Sequence, residues 1–149
     1  MFFTKFNAFR AVNFIFIIIL SANIASGQAL ETDNEGFEIF NYDDGDTTIT
    51  MKKYFICFLK TGPDRNQSEA EAAEIQTGHL AHMDRLADQN KICIAGPFGD
   101  DGDIRGVVIY NVKTMEEAVK LTQQDPAVIA GRLTIEIHPW WAMKGAKLY

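Results

Sequence analysis

The sequence has no surplus of positive charge. Its 14 basic residues face 20 acidic ones, for a formal net charge of −6. An acidic surface repels phosphate backbones, and no basic stripe offsets it, which argues against a nucleic-acid partner. Cysteine is scarce: Cys57 and Cys93 are the only two, and no Cys-x-x-Cys pair exists, so the ligand pattern of structural zinc is missing. No apolar run after residue 27 approaches the ~20 residues needed to span a bilayer. Acidic residues are absent from residues 1–27, where Lys5 and Arg10 are the only charges.

That first segment has the layout of an export leader. Lys5 and Arg10 form a positive region, Phe14 to Leu20 an apolar run, and Ala25-Ser26-Gly27 a small-residue site ahead of Gln28. This order of segments is what secretory processing reads. The apolar stretch is short for a membrane anchor, and no cysteine sits at the cleavage point to carry a lipid. The expected mature chain is therefore exported, periplasmic or secreted, with no membrane attachment once the leader is cleaved. Removing two positive charges from −6 leaves it at −8.

With 47% hydrophobic and 23% charged residues, the remainder has the composition of a globular domain. Residues 28–50 are rich in Asp and Glu and read as a flexible acidic tether. Phe37, Ile39, Phe40 and Tyr42 are the exceptions there, able to add an edge strand or pack on the domain. Residues 51–145 form the domain, and residues 146–149 a short tail.

Within the domain, Tyr54–Leu59 is a strand apolar on both faces. Ser68-x-x-Glu71 is a capping box opening a helix that extends to Asn90. Residues 91–97 and 106–111 read as a hairpin with a long acidic loop. Thr114-x-x-Glu117 opens a second helix, which ends at Asp125-Pro126. Leu133–His138 alternates as a last strand, ended by Pro139. The order βαββαβ is that of a ferredoxin-like α+β sheet with both helices on one face. The other face of the first strand is apolar too and no third helix is available to cover it. Two copies packed face to face would bury it; residues 28–50 folded over a monomer are the alternative. Because the first two strands are not neighbours in such a sheet, Cys57 and Cys93 read as two buried, unbridged thiols.

On a 100° wheel, Ala72, Ile75, Leu80, Met83, Leu86 and Ala87 form the apolar face of the first helix. His79 falls near its centre and His82 at its edge. A buried imidazole needs a partner; this is either a backbone carbonyl or a carboxylate, for which Asp125 is the natural candidate. An Asp-Pro turn also uses its carboxylate locally. A His79–Asp125 contact would fix the ring tautomer, as a general base working near neutral pH requires. His79-x-x-His82 has chelating spacing, but no third ligand is identifiable, and no metal is expected. Glu136 and His138 alternate onto the sheet face away from the helices, beside Trp140 and Trp141. They read equally as a ligand pocket or a subunit interface. Arg105, beside the acidic loop, either holds an anionic substrate or is a solvated loop cation.

Four segments in this order, Gly78-His79-Leu80-Ala81-His82, Ile94 to Phe98, Gln124 to Val128 with Ala130-Gly131, and Ile135 to Trp140, resemble the YCII-related domain family over about Lys52 to Lys144. The resemblance implies a ferredoxin-like protomer that dimerises into an α+β barrel. It also implies an active-site His–Asp pair at His79 and Asp125, and acid–base chemistry of the lyase or isomerase type on small organic molecules, without a cofactor. The leader, the acidic segment and the His-Pro-Trp-Trp ending depart from the family pattern. The competing readings are a non-catalytic small-ligand binder and a structural dimer of the cell envelope.

Overall fold

A computed structural model describes residues 29–148; the leader read at residues 1–27 lies outside them. Six strands and three helices follow in the order β1 (Glu31–Thr32), β2 (Glu38–Asp44), β3 (Thr47–Thr61), α1 (Glu69–Asp88), β4 (Ile92–Pro97), β5 (Ile104–Tyr110), α2 (Met115–Thr122), α3 (Pro126–Ile129) and β6 (Leu133–Met143). Every strand pairing is antiparallel. β3 is the spine: β6 pairs along one edge, while β5 and β2 pair end to end along the other. β4 closes the far side of β5. The strands β3, β4, β5 and β6 with their helices make the expected βαββαβ unit, in spatial order β6-β3-β5-β4.

The period-2 rule for strands sorts the residues of β3. Phe55, Cys57 and Leu59 point to the helices and are 6% exposed or less. They pack with Val108 and Tyr110 of β5, Met83 and Leu86 of α1, and Ala118 of α2. Fully burying each large side chain stabilises by about 1.5–3 kcal/mol. The Tyr110 hydroxyl donates to Thr122 Oγ1 (2.9 Å), which donates to the Ala118 carbonyl (2.8 Å), so the buried tyrosine leaves no open polar group. The opposite face carries Tyr54, Ile56, Phe58 and Val107, all half-buried.

Several elements differ from the sequence expectation. Residues 31–50, expected as a tether, contribute β1, β2 and the start of β3. The two-residue turn Gly45-Asp46 closes the β2–β3 hairpin, with Gly45 at φ 68, the left-handed backbone such turns demand. Three of the acids that suggested disorder are paired: Asp43 accepts from Thr48 Oγ1 at 2.8 Å, Lys144 pairs with Asp33 at 2.9 Å and Lys53 pairs with Glu38. The amide of Phe37 and then Lys144 hold the Asp33 carboxyl down to about 2. Phe37 is buried, its ring centroid 3.4 Å from the Lys52 ammonium, a cation–π contact.

Helix α1 stops at Asp88, with Asn90 at φ 56 just beyond it, the left-handed residue that ends many helices. Pro126 opens α3 rather than merely ending α2, because Asp125 caps it and proline is suited to a first helical position. Pro139 does not end β6, which continues to Met143. As an edge strand paired only with β3, β6 tolerates a missing N–H. Cys57 is buried as expected, its thiol pushed up to about 12 chiefly by burial. Cys93 is not: it is exposed, at an irregularity between Ile92 and Ile94. Both are free. No helix among the described residues is long and apolar enough to cross a membrane.

Candidate active site

The Ser68–Glu71 capping box forms as read, with reciprocal bonds of 3.3 and 2.8 Å, and fixes where α1 begins and hence which residues face inward. Its buried stripe is narrower than the wheel suggests. His82, Met83 and Leu86 are buried, while Leu80 and Ala87 are exposed. Gly78 lies opposite α3: a Cβ there would sit 3.1 Å from Pro126 Cγ. The missing side chain lets α1 close on the start of α3. That approach brings the next residue, His79, to the cap of α3.

His79 Nδ1 and Asp125 Oδ2 are 2.6 Å apart, the histidine side chain 13% exposed and the aspartate fully buried. The other oxygen, Oδ1, accepts the Ala127 amide at 2.8 Å. Asp125 therefore does both jobs read from the sequence, capping the turn and partnering His79. A carboxylate only accepts, so Nδ1 is the protonated nitrogen and Nε2 keeps a free lone pair. Nε2 has no hydrogen-bond partner among the described residues.

His82 is set up differently. Its Nε2 donates to the Leu121 carbonyl at 3.0 Å and its Nδ1 accepts from Arg85 at 2.9 Å. Burial is the main cause holding its pKa below the ordinary 6.5. With both nitrogens spent on protein, His82 is the satisfied core histidine, and it has no lone pair to share with His79 on a metal.

His79 lines a cavity of about 500 Å³ between α1 and the sheet, within the size range of small-molecule sites. Leu59, Met83 and Val108 supply apolar wall, and the exposed Leu80 stands beside the histidine. Arg105 also lines it, anchored by its Nη1 to the Gly102 carbonyl at 3.1 Å. Arg65 and Arg132 line it as well. Neither was singled out in the sequence. Arg65 precedes the capping box and Arg132 follows Gly131, so only tertiary contact joins them: Arg65 Nη1 donates to the Arg132 carbonyl at 3.1 Å.

The structure does not bring Glu136, His138 or Trp140 to this cavity. They lie on the opposite sheet face, where His138 Nε2 meets Glu136 Oε1 at 2.9 Å. Trp140 stands 6.3 Å from the Tyr54 ring and His138 6.4 Å from the Phe58 ring, centroid to centroid. His138, first, and Lys60 pull the Glu136 carboxyl down.

The model of the YCII-related domain family matches residues 54–141, which hold His79, Asp125, the whole of β4 and β5 and most of β3 and β6. The uncharacterized protein YjpA of Bacillus subtilis (strain 168) is 30% identical over 63 residues, 42% of this chain and 72% of that protein. Among solved structures, 5-chloro-2-hydroxyhydroquinone dehydrochlorinase (TftG) from Burkholderia phenoliruptrix AC1100, in complex with 2,5-dihydroxybenzoquinone, is 24% identical with a TM-score of 0.45; the match covers 58% of this chain and 92% of that one.

Proposed function

The chain belongs to the YCII-related domain family, and from that premise we propose that it is a cofactor-independent acid–base enzyme, of the lyase or isomerase type, acting on a small organic molecule. One observation carries the reading: the 2.6 Å bond between His79 Nδ1 and a fully buried carboxylate, in a histidine that lines an open cavity. The bond fixes the tautomer, so the unprotonated Nε2 is the nitrogen left to take a proton from carbon or return one. A positioned base of this kind contributes about 10²–10⁴-fold. Asp125 does not touch the substrate; it orients the ring and balances the imidazolium that forms.

The reaction class can be tested before the natural substrate is known. Purified protein is incubated in D₂O with a panel of small carbon acids, including cyclic enones, enol lactones and hydroxylated aromatics, and exchange at carbon is followed by NMR. Exchange by wild type and its loss in His79→Gln, with an unchanged circular dichroism spectrum, is the expected result. Exchange retained in His79→Gln would overturn the role of His79. A binder without catalysis would show ligand affinity and no exchange in either protein.

The proposal extends to place and assembly. The charge and apolar pattern of residues 1–27 supports an exported chain that begins at Gln28; the mature N-terminus recovered from a cell-envelope or culture fraction checks this, and an intact Met1 in the cytoplasm counts against it. The half-exposed apolar sheet face supports a homodimer.

A further inference from the structure

The protein carries a net negative charge, yet three arginines wall the cavity beside His79. Arg65 comes from the loop after β3, Arg105 from the start of β5, and Arg132 from the turn before β6. Each is anchored, and each to a neutral oxygen. Arg105 Nη1 donates to the Gly102 carbonyl at 3.1 Å, Arg65 Nη1 to the Arg132 carbonyl at 3.1 Å, and Arg132 Nη1 to Gln67 Oε1 at 2.8 Å. Gln67 is itself fixed by donating to the Ala130 carbonyl at 3.2 Å. None of the three makes an ion pair among the described residues. Asp84 is the one acid among the cavity-lining residues.

A guanidinium has five N–H donors, and the anchoring bonds leave most of each set unspent. Three like charges gathered at one concavity repel one another, so the arrangement costs stability unless something anionic joins it. Arg105 and Arg132 are half-buried, where the lower local dielectric strengthens both that repulsion and the attraction to an anion. Anchoring lowers the ordering cost of binding, because the forks are already held. Leu59, Met83 and Val108 give the cavity an apolar stretch of wall.

We infer that this site takes a small organic anion, with a ring-sized apolar body against Met83 and Val108 and its anionic group held by Arg105, Arg132 and Arg65. The inference deepens the acid–base reading of His79 and rests on it for the chemistry after binding. Carboxylate and phosphate share the required chemistry, and the test separates them.

Titration calorimetry at low salt compares benzoate, salicylate and cyclohexanecarboxylate, each with its own neutral carboxamide, and adds phenyl phosphate. At least one carboxylate is expected to bind about tenfold or more tightly than its amide, with the advantage shrinking as salt rises. A tighter fit of phenyl phosphate supports the anion class equally and assigns the group as phosphate. Arg105→Gln, which removes a side chain tied only to a loop carbonyl, is expected to lose most of the preference. Arg132→Lys keeps a charge on the other side without the fork and is expected to lose part of it. No anion binding more tightly than the amides, or a preference unchanged in both variants, would overturn the inference. His79→Gln separates the two readings. If it keeps the anion preference while wild type exchanges no carbon-bound proton, the site is an anion binder and the catalytic reading fails. If wild type exchanges protons through His79 but shows no preference for anions, the catalytic reading stands and this one fails.

Discussion

Asp125 spends both carboxylate oxygens inside the fold, one on the Ala127 amide and one on His79, which makes two substitutions informative in different ways. Asp125→Ala removes the α3 cap, worth about 1 kcal/mol, and leaves the His79 Nδ1–H without its acceptor, for about 1–3 kcal/mol more. A fall of about 2–4 kcal/mol in urea unfolding is expected. Asp125→Asn keeps an acceptor for the Ala127 amide but turns an N–H₂ donor toward Nδ1. The ring then favours the tautomer protonated on Nε2, and the base is lost. Its stability should stay near wild type while the exchange rate drops about 10²–10⁴-fold; an unchanged rate would count against the tautomer argument.

His82 makes the complementary prediction. Its folded pKa lies below the unfolded one, chiefly through burial. As pH falls through about 6.5, the unfolded chain takes up a proton that the folded chain refuses. The stability His82 contributes is therefore present above that range and lost progressively below it, until the folded pKa is also crossed. Urea midpoints at about pH 8 and about pH 5.5 should fall further apart in wild type than in His82→Gln, where this contribution to the slope is gone. The helical wheel places His79 at the centre of the inward face and His82 at its edge, but His82 is the deeper of the two. Periodicity gives the direction of a side chain; it does not say that the neighbouring space is open, and at His79 a cavity replaces packed core.

At the scale of elements, the strongest sequence signals are chemical as well as periodic: the Ser68 cap, the Thr114 cap and the alternation of the last strand. Composition mistakes the acidic segment for a tether because composition ignores pairing. Its strand is stabilised by Thr47–Lys52, which folds back beside it across the Gly45-Asp46 turn, and a count of acids does not register that hairpin. The arginine cluster is illegible in the sequence for a different reason, the distance along the chain between its members. It depends on a clip between the end of β3 and the start of β6, where the Gly62 amide donates to the Arg132 carbonyl at 2.9 Å and the Asp64 amide to the Gly131 carbonyl at 3.0 Å. Gly62 is required by space: a Cβ there would lie 2.6 Å from the Arg132 carbonyl carbon and closer still to the Gly131 oxygen. These are backbone atoms and cannot swing aside. Gly62→Ala should cost about 1–3 kcal/mol as overpacking does, and should weaken anion binding in the protein that remains folded because Arg65 and Arg132 ride on the clip. A melting temperature within a degree or two of wild type would show that the clip is more yielding than its geometry.

At the scale of the whole molecule, the two faces of one sheet have different fates. The helix-facing residues Phe55, Cys57 and Leu59 are almost fully buried. Their neighbours Ile56 and Phe58 remain half-exposed, beside Val107 and under no helix. The hairpin of β1 and β2 reaches this face at Lys52, beneath the Phe37 ring, so it supplies part of the cover that the apolar second face of the strand calls for. A second copy of the same face is the self-complementary way to supply the rest. The polar group at its rim fits such a contact: Lys60 pairs with Glu136 at 3.4 Å, and Glu136 with His138 at 2.9 Å, leaving the centre apolar as interfaces require. Light scattering coupled to size exclusion is expected to give twice the protomer mass at micromolar concentration. Phe58→Lys should shift the species to one protomer with little change in circular dichroism, because the side chain is already half in water in a single copy. The His79 cavity opens on the helix side, away from this substitution, so the monomeric variant should retain anion binding. If wild type is itself monomeric at about 100 μM, well above the dissociation constants of stable dimers, the dimer proposal fails. The apolar stripe must then be covered by something other than a second copy of this chain.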